Sequence, residues 1–380
     1  MGDVKILFSS LPAHGHTYPQ LPLAIAAKAA GHEITYATWE TFHPPLAALG
    51  FETVNAGGDM AGAFTEVIAG RDFQELTQEE ISGIAMRVFG DILPRAAIAD
   101  LGALFEHRRF DLVVHESAAI GAAIAAKLAG IPAVGHGISK PVALDHMPAL
   151  KNLLPDLAAE FGVAFSERTG FGSPYLDIYP ESLQEPAELI DRRVPLRPVA
   201  FAEPSELPAI ATSGAGKLIY LTLGTAFGNP AVLRAAIDGL AATGNRVVVA
   251  TGPTVEVAAL GEPPANVTVL PWVAQAELLP HVDLVVHHGG SGTTLGSAAA
   301  GVKQLFIPQG ADQFVNAETF TNAGAARQLL GADVTPEALT EAAKDVLADD
   351  SITKVVTALA EEIAAMPSPE EIAKRLPEWA

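Results

Sequence analysis

The chain contains no cysteine, which removes disulfides, thiolate metal sites and a cysteine nucleophile in one step. Basic residues are scarce: 23 Lys and Arg stand against 44 Asp and Glu, a formal net charge of -21. That balance argues against nucleic acid or an anionic membrane surface as a partner. It also means that any phosphate site must draw on backbone N–H groups, histidine and hydroxyls more than on Lys or Arg. No apolar run approaches the roughly 18 residues of a membrane helix. Met1-Gly2-Asp3-Val4-Lys5 leads straight into a strand pattern and lacks the parts of a signal peptide. The expectation is a soluble, cytoplasmic chain. Short-period repeats and low-complexity tracts are missing as well.

What is present is a globular composition, 49% hydrophobic and 18% charged, over 380 residues, enough for two domains with separate cores. Apolar strand patterns at 4–10, 33–38, 51–54, 110–115 and 132–134 alternate with helical patterns at 20–30, 45–49 and 118–129. Gly31 and Gly130 close two of those helices. Such alternation is the pattern of βαβ units and a parallel sheet. Residues 55–78 break the rhythm and are expected to form a long irregular insertion, a type of segment that is more often functional than accidental. A helix is expected from about 78 to 106, kinked or divided by Pro94, and another over 150–161. Seven prolines between Pro174 and Pro208 suit a connection between domains. The rhythm then restarts with strands at 217–223, 246–250, 267–270, 284–286 and 304–307. Helices are expected at 231–241, 336–348, 352–365 and 369–376. The reading is α/β: two doubly wound, Rossmann-like domains over 1–198 and 217–365, joined by a connection at 199–216. C-terminal helices follow, the last, within 366–380, packing back on the first domain.

The most informative stretch runs from Pro271 to Asn316 and centres on His288-Gly289-Gly290-Ser291-Gly292-Thr293-Thr294. A strand, a glycine turn and then a helix leave free backbone N–H groups at the helix start, a site suited to a diphosphate. Gly290 and Gly292 let the backbone approach the ligand, and His288, Ser291, Thr293 and Thr294 offer side-chain donors. Upstream stands Pro271-Trp272-Val273-Ala274-Gln275, whose indole can stack on a nucleobase. Downstream, Asp312 and Gln313 form an acid–amide pair suited to neighbouring sugar hydroxyls.

These residues resemble the nucleotide-sugar signature of GT-B-fold glycosyltransferases, and most of all the actinobacterial natural-product branch of the UDP-glycosyltransferase superfamily. That branch serves macrolides, enediynes and aromatic polyketides. The resemblance covers nearly the whole chain and implies an interdomain cleft, with an acceptor-binding first domain and a nucleotide-sugar-binding second domain. Thr225, in Leu223-Gly224-Thr225, is similar to the family's phosphate-contacting Ser/Thr. In plant relatives an acidic residue eight positions after the signature histidine holds the ribose hydroxyls. Here that position is Gly296, which favours dTDP over UDP and hence a deoxysugar.

His14 and His16 follow the first strand, where open α/β sheets bind ligands. An acceptor hydroxyl needs a base as it attacks, and histidine suits that task with its ordinary pKa near 6.5. Glu116, directly after another strand, can fix the tautomer of that base. The family's Gly-His turn matches Gly15-His16-Thr17-Tyr18-Pro19, so His16 is favoured over His14. The family's usual partner acid is Asp, and the matching position here holds Glu116. The acceptor pocket should be apolar, with Phe64, Phe73, Met86, Phe89 and Met147 as candidates and His136 beside them. Together these features imply an inverting transfer of sugar to a hydroxyl of a hydrophobic small molecule, with no metal and no other cofactor. An acidic metal motif such as Asp-x-Asp is missing near the diphosphate loop. A UDP-sugar donor, a nucleotide-sugar epimerase and an inactive helper on the same fold are the alternatives. Oligomeric state, a homodimer included, is left open.

Overall fold

Runs of Val, Ile and Leu long enough for one strand and apolar on both sides make strands that are covered on both faces. Leu112–Glu116 and Leu218–Thr222 are such strands, with all five residues of each buried. The computed structural model describes residues 3–71, 76–141, 148–166, 174–185, 190–201, 206–226 and 228–380. The chain divides into two compact units: Met1–Ile178, Gln184–Leu196 and Pro367–Ala380 form unit 1, while Tyr179–Leu183 and Arg197–Met366 form unit 2.

Unit 1 holds a seven-stranded sheet: β1 (Lys5–Ser9), β2 (Glu33–Thr38), β3 (Glu52–Asn55), β4 (Leu112–Glu116), β5 (Ala133–His136), β6 (Tyr175–Asp177) and β7 (Arg193–Pro195). Its strand order is β3-β2-β1-β4-β5-β6-β7 and every neighbouring pair is parallel. Unit 2 holds a six-stranded sheet: β8 (Leu218–Thr222), β9 (Arg246–Ala250), β10 (Val267–Leu270), β11 (Leu284–His287), β12 (Lys303–Phe306) and β13 (Ala326–Gln328). Its order is β10-β9-β8-β11-β12-β13, again all parallel. In both sheets the winding reverses once, between β1 and β4 and between β8 and β11. Connections leave such a pair in opposite directions, so a crevice opens beyond the carboxyl ends of its strands.

The fold departs from the sequence reading in several places. Within the expected irregular insertion, Met60–Ile68 is a helix. Asp59 caps it by accepting the Ala61 N–H at 3.1 Å, and Ala69 ends it in the left-handed region at φ 54°. The glycines around it masked a helix whose cap signal was present. Strands β6, β7 and β13 were not anticipated, because three-residue strands carry no periodicity. Residues 206–216, expected in the connection, belong to unit 2. Ala211 is buried in its core, and Leu207 and Ile210 pack against the same cluster.

Pro94 divides the long helix as expected, and it does so by a π turn. Gln78–Arg87 is followed by the π turn Val88–Ile92, which Leu93 N–H closes onto the Val88 carbonyl, and then by the helix Leu93–His107. A proline cannot donate to the preceding turn, and widening that turn relieves the clash. The terminal helix Pro369–Ala373 packs against Leu21–Ala29 of unit 1, where His32 Nε2 lies 3.3 Å from the Ala373 carbonyl. Among the described residues, no helix is long and apolar enough to cross a membrane.

Candidate functional site

At the reversal point of unit 1, β1 ends at Ser9 beside His115 of β4, so the chain beyond β1 starts next to Glu116. The short helix His14–Thr17 turns His16 back toward that strand end. His16 Nδ1 lies 3.0 Å from Glu116 Oε1. Glu116 is fully buried, whereas the His16 side chain is 23% exposed. The buried carboxylate also accepts the N–H of Leu11 at 3.3 Å and of Ala118 at 2.5 Å. It is held on three sides and has no freedom to swing away. A carboxylate only accepts, so the hydrogen sits on Nδ1 of His16 and the lone pair on Nε2.

His14 does not share this arrangement; its ring packs edge-on against Tyr18 at 4.9 Å and Phe42 at 5.1 Å. Phe89, carried by the π turn, stacks on His16 at 6.2 Å, and Phe64 meets Phe89 edge-on at 5.5 Å. An apolar surface therefore adjoins the histidine. Met86 is half-buried on the neighbouring turn; Phe73 and Met147 lie outside the described residues. His136 is register partner to Glu116. It is fully buried, its Nδ1 is 2.7 Å from the Gly137 carbonyl, and burial pushes its imidazole down to about 4.

At the reversal point of unit 2, β8 ends at Thr222 beside His287 of β11. The helix Ser291–Ala299 starts after Gly290 without any side-chain cap. Its first N–H groups thus have no partner within the helix. His288 lies between two glycines. A Cβ on Gly224 would come 2.5 Å from its Nε2, and one on Gly290 would overlap the same ring. This packing explains Gly290, whose φ is an ordinary -61°, whereas Gly224 needs both the space and the freedom to adopt φ +75°. Burial pushes the His288 imidazole down to about 4, partly opposed by a hydrogen bond to the Thr222 backbone. Its Nδ1 has no hydrogen-bond partner among the described residues.

Two hydrogen bonds gather the three sequence segments. Thr293 Oγ1 donates to Gln275 Oε1 at 2.9 Å, and Ser291 Oγ donates to Asp312 Oδ2 at 3.1 Å. Thr294 Oγ1 donates to the Gly290 carbonyl at 3.0 Å. All three hydroxyls expected as anion donors therefore direct their hydrogens into the protein. What the loop leaves for an anion is backbone N–H, with Gly292 exposed at its tip.

Trp272 is 37% exposed on the loop after β10, while the Val273 side chain is buried in the core of unit 2. Thr225 is half-buried in the turn after β8. Gln313 is only 3% exposed, and its Oε1 accepts the N–H groups of Gln309 and Gly310 at 2.8 and 3.1 Å. Its oxygen is thus spent on shaping the turn before Asp312, where the sequence reading expected a sugar contact.

Sequence reasoning gave no role to His287, Asn316 or Tyr179. His287 Nδ1 accepts the Gly289 N–H at 3.2 Å, so its Nε2 donates to Gln304 Oε1 at 2.9 Å. Asn316 was in view inside the central stretch, whereas nothing in sequence singled out Tyr179. Among the described residues, no group of three or more His, Asp or Glu side chains is placed to hold a metal ion.

Residues 234–379 match the family model described as erythromycin biosynthesis protein CIII-like, C-terminal domain. The chain is 31% identical over 396 residues to the L-demethylnoviosyl transferase of Streptomyces niveus, covering 98% of this chain and 97% of that one. It is 29% identical to an elloramycin glycosyltransferase of Streptomyces olivaceus, with the same coverage. A Streptomyces sp. SF2575 glycosyltransferase complexed with thymidine diphosphate superposes with a TM-score of 0.79 at 26% identity, covering 99% of each chain. The Streptomyces nogalater glycosyltransferase SnogD gives 0.77 at 25% identity, also covering 99% of each.

Proposed function

Because the chain belongs to the GT-B glycosyltransferases, in the actinobacterial natural-product branch of the UDP-glycosyltransferase superfamily, we propose that it moves a deoxysugar from a dTDP-sugar to a hydroxyl of a hydrophobic natural product, with inversion. The observation that carries this reading is the His16–Glu116 pair with Phe89 against the histidine ring. It puts a base beside an apolar surface, as an aglycone hydroxyl requires. His16 Nε2 takes the acceptor proton as the acceptor oxygen attacks the anomeric carbon. The bond from that carbon to the phosphate oxygen breaks, and its electron pair leaves with the diphosphate. Glu116 stabilises the imidazolium formed.

The N–H groups at the start of Ser291–Ala299 receive the diphosphate charge as preorganised donors. His288 packs between Gly224 and Gly290 and so supports the loop that presents those N–H groups. The reading routes no step through a metal. Trp272 stacks on the base, and Asp312 contacts the sugar. The preference for dTDP rests on Gly296. A Cβ there would already stand 3.3 Å from Leu279, 3.4 Å from Ala200 and 3.4 Å from Gln275 Nε2. Glycine carries no carboxylate to read a ribose 2′-hydroxyl from this position, and a Cβ added here would press on those neighbours. The thymidine diphosphate complex of the Streptomyces sp. SF2575 relative supports the same choice.

The test is product analysis with dTDP- and UDP-sugars against a panel of hydroxylated polyketide aglycones. Glycoside formation from a dTDP-sugar, with the anomeric configuration inverted by NMR, is expected. Retention of configuration, or sugar release or isomerisation without any acceptor, overturns the mechanism.

A further inference from the structure

We propose that Tyr179 is a positioning residue of the diphosphate loop, acting through Asn316. Tyr179 is fully buried, and its hydroxyl donates to Asn316 Oδ1 at 3.0 Å. Asn316, also fully buried, donates through Nδ2 to the Gly289 carbonyl at 2.8 Å and to Ser291 Oγ at 3.0 Å. The orientation of this amide follows from chemistry. A carbonyl only accepts, so Nδ2 must face Gly289, and Oδ1 is left for the phenol.

The consequence lies in one peptide plane. The C=O of Gly289 and the N–H of Gly290 belong to the same rigid trans unit and point in opposite directions. Holding the carbonyl from the side of the helix Gln313–Asn322 aims the Gly290 N–H away from that helix. Gly289 has φ +95°, and a Cβ on it would come 2.8 Å from the Gln313 carbonyl, so the loop backbone lies close against the start of that helix. Ser291 Oγ accepts from Asn316 and passes its own hydrogen to Asp312. One phenol therefore sets the direction of a backbone donor and the position of Asp312.

Without the hydroxyl, Asn316 Oδ1 becomes a buried acceptor with its phenol partner gone, and the amide loses the contact that holds it from the side opposite Gly289. Tyr179→Phe keeps the ring against Phe320, 6.4 Å away and edge-on, so the packing survives.

This inference rests on reading the 288–294 loop as the diphosphate site, and the experiment separates the two. Donor KM, acceptor KM and the Kd for dTDP are measured for Tyr179→Phe, Asn316→Ala, the double variant and Gly290→Ala. Tyr179→Phe is expected to raise donor KM and the dTDP Kd about tenfold with acceptor KM unchanged. It should add nothing further on the Asn316→Ala background. An unchanged donor KM, equal rises in both KM values, or full additivity with Asn316→Ala refutes the positioning role, even if thermal stability falls. If Gly290→Ala binds dTDP as the parent does, the loop reading falls and the Tyr179 role with it. If Gly290→Ala loses binding while Tyr179→Phe does not, the Tyr179 role alone falls.

Discussion

Replacing Glu116 by glutamine keeps the shape of the side chain and removes its charge. Glu116 Oε1 is 3.0 Å from His16 Nδ1. At that separation and an effective dielectric of about 20, a full charge pair is worth roughly 5–6 kcal/mol. His16 is 23% exposed, so water screens part of this, and about 3 kcal/mol is a fair expectation for the imidazolium in the transition state. That corresponds to a roughly hundredfold fall in kcat. A glutamine must also turn its NH2 toward one of the three donors that the carboxylate now accepts, which costs about 1–3 kcal/mol of stability. The assay is turnover at saturating donor and acceptor below the unfolding transition, with the dTDP Kd measured alongside. A hundredfold loss in kcat with an unchanged dTDP Kd is expected, and Glu116→Asp should retain more activity because the charge remains. If Glu116→Gln stays within about threefold of the parent, Glu116 does not support the base and the reasoning fails.

His16→Ala should reduce transfer at least a hundredfold, whereas His14→Ala, whose ring packs on Tyr18 and Phe42 away from Glu116, should leave kcat within a few-fold. Turnover rates of the two variants measured side by side decide between them. Burial pushes His136 and His288 down to about 4. The unfolded chain, with histidines near 6.5, therefore binds more protons between those values. Stability should be full above about pH 6.5 and fall as pH drops toward 4, by about 3 kcal/mol per histidine. Urea titrations at pH 7.5 and 4.5 check this, and a flat profile contradicts it. Gly121→Ala should destabilise unit 1 by about 1–3 kcal/mol. The new methyl would lie 2.7 Å from Ala97 Cβ and 2.9 Å from Pro94 Cα, and the change reads out as a lower Tm.

Several elements were legible because their physics is local. Glu33–Thr38, Arg246–Ala250 and Val267–Leu270 are strands over the residues expected, since a buried parallel strand is a short apolar run between turn residues. His16 and Glu116 come together as the strand-end argument implied, 100 positions apart in sequence. The strand order that brings them together is a property of the βαβ rhythm. What stayed hidden depends on partners distant in the chain. Met60–Ile68 is apolar enough to form a helix, but Gly57, Gly58 and Gly62 argued locally for a loop. Gln313 lies where a sugar contact was expected, yet its oxygen accepts two backbone N–H groups. Tyr179 has no neighbour in sequence that announces its bond to Asn316, 137 positions away.

The central claim is that the loop from His288 to Thr294 binds the diphosphate of a dTDP-sugar. Titration calorimetry of the protein with dTDP and with UDP, repeated on Gly290→Ala, tests it most directly. A methyl at position 290 would overlap His288 Nε2 and lie 3.1 Å from its Cε1, so the loop must change shape. Binding of dTDP tighter than UDP, and lost in Gly290→Ala, is the result predicted. Binding of neither nucleotide, or equal binding by Gly290→Ala and the parent, contradicts the claim.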